Sequence, residues 1–278
     1  MRREEKIAIG TQTISYTAVG DPPSARQGGS ILILHGWGSS SNSWVGVGEL
    51  LAAKGYCVIV PDLPGFGKTP APLPRRSPTG EGGSAIWGVE EYAEFVNEFV
   101  EKLGLQKFIL ASHSFGGQVA IQFAVQHPEK VEKLVLIAAA AVRRTPGVFK
   151  SLVMAVAKIV SFLLYLVPFE DLRNNIKHAI YMLIRRRDYI RTQGIMRDIF
   201  KKVIMQDLTA KCPKLTVPTL IVWGDKDEMT PIQDAYLLQE LIPNSKLEII
   251  PGGKHALNFQ VPEKLSQLIG QFAHFQPW

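Results

Sequence analysis

A serine hydroxyl becomes a useful nucleophile only when a base takes its proton and a third group orients that base. Three segments of the chain could supply such a set: Ser112-His113-Ser114-Phe115-Gly116-Gly117, Gly224-Asp225-Lys226-Asp227, and Pro251-Gly252-Gly253-Lys254-His255. In the first, the apolar run Ile109-Leu110-Ala111 ends in small residues, Ser114 stands at a corner, and a helical segment reads from Gln118 to Gln126. A strand that turns sharply into a helix lifts the corner side chain above the sheet edge, beside the amides of the helix N-terminus. The flanking residues must be small because strand and helix cross there. Gly116 meets that need, and Ser112 stands where the usual pattern has glycine. Attack by Ser114 on an electrophilic carbon, with His255 as base and Asp225 or Asp227 behind it, is the chemistry this set could support.

The elements around these segments are of the kind needed to hold them. Ile31–Leu34 is a continuous apolar run, as expected of a strand buried on both faces; Tyr56–Val60 and Val131–Ala138 read as further buried strands, and Phe108–Ala111, Thr219–Trp223 and Lys246–Ile250 as strands. Helical segments alternate with them: Trp44 to Lys54, Val89 to Leu103, Gln118 to Gln126, Pro231 to Leu241, and Val261 to Phe272. That alternation predicts a mostly parallel sheet covered on both sides, preceded by a hairpin over Lys6–Ile9 and Thr13–Val19. The acid and the histidine follow the serine, each at the end of a strand, in the order Ser, Asp, His. From Ala141 to Lys211 the alternation breaks into long helical apolar stretches, which predicts an insertion over the strand ends. Residues 1–140 and 212–278 would then form the core, and 141–211 a helical cap.

With His35-Gly36-Trp37-Gly38 and Asp62-Leu63-Pro64-Gly65-Phe66-Gly67 added to the three segments above, the chain resembles an α/β-hydrolase over nearly its whole length apart from the cap. The resemblance implies an α/β fold with a central sheet flanked by helices. It implies Ser114, Asp227 and His255 as the catalytic residues, and Asp225 as a turn former bonding local amides. It further implies an oxyanion hole from the backbone amides of Trp37 and Phe115, and hydrolysis by acyl transfer to water without cofactor or metal. Serine at the corner argues against the branches of the family that use a carboxylate nucleophile. The apolar cap, notably Val153–Val167, points to a small lipophilic ester, with lactones included. Carbon–carbon bond hydrolysis of dienoic diketones is the alternative activity, and ligand binding without catalysis the alternative class.

The remaining features are read as structural. His35 precedes the serine and is expected to brace its loop, His113 to point away from the pocket, and Asp62 to cap its own turn. His178 and His274 are expected at the surface. Gly65 and Gly67 do not carry the spacing of a phosphate loop. Cys57 and Cys212 make neither a disulfide framework nor a metal motif, and the opening residues hold no apolar signal core, so the expected location is cytoplasmic. The net charge of +6 is uneven, with 14 Lys/Arg against 5 Asp/Glu between Arg143 and Lys211. No nucleic-acid motif accompanies that excess. Where the apolar run Val148–Val167 joins Arg185-Arg186-Arg187, Arg191, Lys201 and Lys202, a weak peripheral contact with an anionic membrane is the further expectation.

Overall fold

The computed structural model describes residues 1–21, 29–73, 86–143 and 193–274. Eight strands form one sheet: β1 (Arg2–Ile9), β2 (Gln12–Val19), β3 (Ser30–Leu34), β4 (Cys57–Pro61), β5 (Phe108–His113), β6 (Val131–Ile137), β7 (Thr219–Gly224) and β8 (Ser245–Ile250). Their spatial order is β1-β2-β4-β3-β5-β6-β7-β8. β1 and β2 form the expected antiparallel hairpin, β2 is antiparallel to β4, and every pair from β4 to β8 is parallel. β1 begins at Arg2 rather than Lys6, because Arg2–Lys6 pair residue by residue with Val19–Ser15 although their alternating charges hide the strand.

The seven helices described are α1 (Val45–Ala53), α2 (Val89–Lys102), α3 (Phe115–Gln126), α4 (Ile195–Ile204), α5 (Ile232–Leu241), α6 (Leu257–Gln260) and α7 (Pro262–His274). Side chains of a strand alternate between faces, and both faces of this sheet are apolar. Leu32, Leu34, Leu110, Leu134, Leu136, Ile221 and Trp223 pack on the side of α2, α3 and α5. Ile31, Ile33, Ile109, Val135, Ile137, Leu220 and Val222 pack on the side of α1 and α7. That two-sided burial is why the strands read as continuous apolar runs. α3 is buried from Phe115 through Ala124, sandwiched between the sheet and α2.

Two elements reach further toward the site than their apolar runs suggest. β5 continues through Ser112 and His113, which pair with Leu136 and Ile137 of β6. α3 starts at Phe115, directly after the serine. Polar residues end an apolar pattern without ending a strand when a neighbour still supplies the ladder.

Of the 141–211 segment, Ala141–Arg143 and residues 193–211 are described. The run Val148–Val167, the cluster Arg185–Arg187 with Arg191, and His178 lie outside the described residues. α4 docks by Ile199 and Val203, both buried. Lys202 Nζ donates to Ile86 O at 2.9 Å and Glu91 Oε1 at 3.1 Å, and Lys201 pairs with Asp198 at 2.7 Å. These two cations are therefore engaged within the protein. Among the described residues no helix is long and apolar enough to cross a membrane.

The sheet is held to α3 with no spare volume at the corner. A Cβ on Gly116 would lie 2.3 Å from Leu34 O and 2.7 Å from His35 O, both backbone atoms that cannot swing aside. Gly116→Ala is expected to lower the unfolding free energy by about 2–3 kcal/mol, the scale of an overpacked core, measured by urea denaturation. Gly46→Ala on the open face of α1, where a Cβ meets nothing within 4 Å, serves as the control.

Candidate active site

All four chemistry-bearing segments leave the sheet at the C-terminal ends of parallel strands, where ligands of open α/β sheets are bound. His35 follows β3, Ser114 follows β5, Asp227 lies three residues past β7, and His255 five past β8. Ser114 itself has φ 53° and ψ −115°, a left-handed conformation that a residue with a side chain adopts only under constraint. The constraint is visible in its backbone bonds. Its N–H donates to Ile137 O at 3.0 Å, and its carbonyl accepts from Gly117 N at 2.9 Å and Ala140 N at 3.0 Å.

Ser112 fills the usual glycine position without leaving a buried hydroxyl unpaired, because its Oγ donates to Val135 O at 3.1 Å. On the other side, the turn after β3 passes directly over the serine. A Cβ on Gly36 would sit 2.9 Å from His113 Nδ1 and 3.2 Å from Ser114 Cβ. Trp37 follows in that turn, and Phe115 is the first residue of α3, whose leading amides have no acceptor inside the helix.

The structure brings Ser114, His255 and Asp227 into one hydrogen-bonded series. Ser114 Oγ lies 3.0 Å from His255 Nε2, and His255 Nδ1 lies 2.8 Å from Asp227 Oδ2. Ser114 is half-buried, the His255 side chain is 14% exposed, and the Asp227 side chain is fully covered. Asp227 Oδ1 accepts from the backbone N–H of Met229 at 2.8 Å and Thr230 at 2.9 Å, while its Oδ2 also accepts from Thr230 Oγ1 at 2.8 Å. Burial pushes this carboxyl up, but the donors and charge of His255 and Thr230 outweigh it and hold the pKa below the usual carboxylate value. Such a series can take a proton from a serine oxygen while keeping the resulting imidazolium beside a fixed negative charge.

Asp225 does not join that series. It is exposed, and its Oδ1 accepts from Gly252 N at 2.7 Å, a residue on the turn after β8. It is a turn former as expected, but the amide it binds is distant in sequence, not local. Beside it the two turns touch backbone to backbone, since a Cβ on Gly224 would lie 2.2 Å from Gly253 O. Lys226 N donates to the same carbonyl at 2.8 Å.

The other histidines divide as expected, with one addition. His35 is fully covered; its Nε2 accepts from Leu63 N at 3.1 Å, which braces the turn after β3 against the turn after β4. Asp62 does more than cap its own turn: it accepts Lys68 N at 2.8 Å and also Ser41 N at 2.7 Å. His274 is exposed at the end of α7. His113 stands outside the hydrogen-bonded series, but its Nε2 donates to His255 O at 2.9 Å and its ring lies 4.8 Å from the His255 ring. That link had no signature in the sequence, because its two ends are 142 residues apart.

Apolar rings cluster around Trp37. The Trp37 ring lies 4.9 Å from Phe66, 5.3 Å from Phe115 and 4.9 Å from Phe200 of α4. Tyr92 of α2 meets Phe115 at 5.0 Å, and its hydroxyl donates to Pro64 O at 2.9 Å. Met196 of α4 lies against Gly65, where a Cβ would be 2.3 Å from the Met196 sulfur. α4 is thus seated on both turns that flank the serine.

Comparison with known proteins agrees with this fold. The family model described as alpha/beta hydrolase fold matches residues 29–262, and the chain belongs to that family. It is 28% identical to an uncharacterised protein of Mycobacterium tuberculosis, over 89% of this chain and 76% of the other. It is 27% identical to the pimeloyl-[acyl-carrier protein] methyl ester esterase of Aeromonas hydrophila, over 88% of this chain and 96% of the other. Among solved structures, a bacterial membrane phospholipase A superposes with a TM-score of 0.72 at 24% identity, over 98% of this chain and 85% of that one. Relatives at this low identity include esterases, and the fold is that of hydrolases.

Burial lowers the His113 pKa to about 4, with the neighbouring His255 adding to the shift. A histidine whose folded pKa is depressed contributes stability above its unfolded value, about 6.5, and loses it as pH falls toward the folded value. Unfolding free energy should therefore decline between about pH 6.5 and 4 by up to about 3 kcal/mol from this residue. His113→Gln should flatten that decline in urea titrations, and the His113 ring protons should titrate near the lower limit by NMR.

Proposed function

We propose that the protein is a serine hydrolase of carboxylic esters, lactones included, acting on small lipophilic substrates. The observation that carries this reading is the continuous hydrogen-bonded series from Ser114 through His255 to Asp227. The carboxylate behind the imidazole selects the tautomer with the proton on Nδ1, which leaves Nε2 as acceptor for the serine proton. Ser114 Oγ then bonds to the ester carbonyl carbon as its proton passes to Nε2. The carbonyl oxygen becomes an oxyanion facing the Trp37 and Phe115 amides, and preorganised donors of this kind contribute about 3–4 kcal/mol each to transition-state stabilisation. His255 returns the proton to the leaving alcohol. Water, deprotonated by His255 in its turn, cleaves the acyl-serine and restores the hydroxyl.

Ester chemistry is supported by the activities named for two similar proteins, an esterase and a phospholipase, and by the apolar rings around Trp37. Residues 141–211 are read as a cap over the strand ends, supported by the seating of α4 on the turns at Trp37 and Gly65. Cys57 and Cys212 are buried and not joined in a disulfide, which fits a reducing compartment, and a cytoplasmic location is part of the proposal.

A panel of p-nitrophenyl esters, lactones and one dienoic diketone tests the activity. Ester turnover is expected, with a fluorophosphonate probe attaching to Ser114; preferential cleavage of the diketone would replace ester by carbon–carbon bond hydrolysis. Ser114→Ala should reduce kcat by about three orders of magnitude or more while the circular dichroism spectrum is retained. Asp227→Asn should lower kcat by about 10³–10⁴-fold, through the wrong histidine tautomer. Asp225→Asn should stay within about tenfold, because it loses a structural bond only. The reverse ranking of the two aspartates would reject the assignment.

A further inference from the structure

Thr230 is a buried residue with its hydroxyl aimed at the proposed acid–base pair. Its backbone is already secured, since its N–H donates to Asp227 Oδ1 and its carbonyl accepts from Trp223 Nε1 at 2.8 Å. The hydroxyl carries one proton and has two acceptors in range, Asp227 Oδ2 at 2.8 Å and Ala138 O at 3.4 Å. The shorter and charged contact takes it. The same oxygen lies 3.3 Å from His255 Nδ1, so the carboxylate oxygen that holds the imidazole is shared between two donors standing side by side.

We propose that Thr230 is a positioning residue for the hydrolytic reaction: its hydroxyl fixes the rotation of the Asp227 carboxylate and limits the negative charge that Oδ2 presents to His255. This rests on the assignment of Asp227 and His255 above. A carboxylate has two oxygens, and here both are pinned from the same short turn, Oδ1 by two amides and Oδ2 by the hydroxyl. That leaves one lone-pair direction of Oδ2 toward Nδ1. With the hydroxyl gone, Oδ2 would carry more charge toward the imidazole and stabilise its protonated form. The base would then be occupied by a proton at higher pH than in the parent.

The other groups around the pair do not perturb it in this way. His113, from the end of β5, is held neutral by burial, and His35 behind it is likewise pushed toward the neutral form. Asp225, Lys226 and Glu228 on the acid's own turn are exposed, as is Lys254 beside the histidine. These charges face solvent, where they are screened.

The test is the pH dependence of kcat/KM for the parent, Thr230→Val, Thr230→Ala and Thr230→Ser. Valine and alanine remove the hydroxyl and serine keeps it. The acidic limb should move up by about 0.5–1 pH unit in the valine and alanine variants, as expected for loss of one hydrogen bond to a charged group. In Thr230→Ser the limb should return to within about 0.2 unit of the parent. A readout apart from turnover is the His255 titration by NMR in the Ser114→Ala background, which should show the same upward shift on adding Thr230→Val. Folded valine and alanine variants whose activity falls at all pH values with an unmoved limb, and an unmoved His255 titration, would overturn the proposal. Asp227→Asn run in parallel separates the two levels. Parent-like activity there would overturn the triad assignment and this inference together, whereas an inactive Asp227→Asn with unmoved Thr230 profiles would overturn the inference alone.

Discussion

The constraint on which the rest of the structure depends is the reversal of the chain at Ser114. A strand ending in the middle of a parallel sheet must hand over to a helix lying across that same sheet, within one residue. The cost is a strained backbone at φ 53°, of order 1–3 kcal/mol. It is sustained by hydrogen bonds from β6 and the segment after it, and by the absence of side chains where Gly116 meets β3 and Gly36 meets His113. Neither a wider turn nor a larger neighbour would leave the serine oxygen at the same height above the strand ends. The surrounding strands, helices and turns are the means of holding that corner rigid.

Around this point the polar groups are arranged so that no buried donor or acceptor of the hydrogen-bonded series is left over. Ser112 gives its hydroxyl to Val135, Asp227 uses both carboxylate oxygens, and His113 donates to the His255 carbonyl. In a low-dielectric setting an unmatched group would cost more than a matched one contributes. The outcome is a charged carboxylate kept ionised despite complete burial of its side chain, which is the condition for it to act on the histidine at neutral pH.

Much of this was legible in the chain. Apolar runs such as Ile31–Leu34 located the inner parallel strands, because burial on both faces removes polar interruptions. Small residues around Ser114 marked the corner, and the order Ser, Asp, His at strand ends selected the three residues that the structure draws together. Other features were silent for physical reasons. β1 is an edge strand whose charges alternate on exposed positions, so only its pairing with β2 defines it. The partners of Asp225 and His113 are fixed by which turns the sheet brings together, over 27 and 142 residues. Thr230 had a faint local signal, a hydroxyl three residues after an aspartate in a turn, a spacing at which side chain and backbone commonly bond. The sequence could not say that the same hydroxyl would share an oxygen with a histidine from another strand.

The hydrogen bond from His113 to the His255 carbonyl has a mechanical consequence. Asp227 and His255 ride on turns locked together by the Gly224–Gly253 contact, while Ser114 belongs to the corner of β5 and α3, with β6 lying between. The spacing of serine and histidine is therefore set across β6, and the His113 imidazole is a direct tie over that span. Stress that loosens this tie would widen the gap between serine and histidine while the sheet keeps its packing. On warming, inactivation should consequently run ahead of unfolding, and cooling before the core melts should restore the enzyme without refolding it.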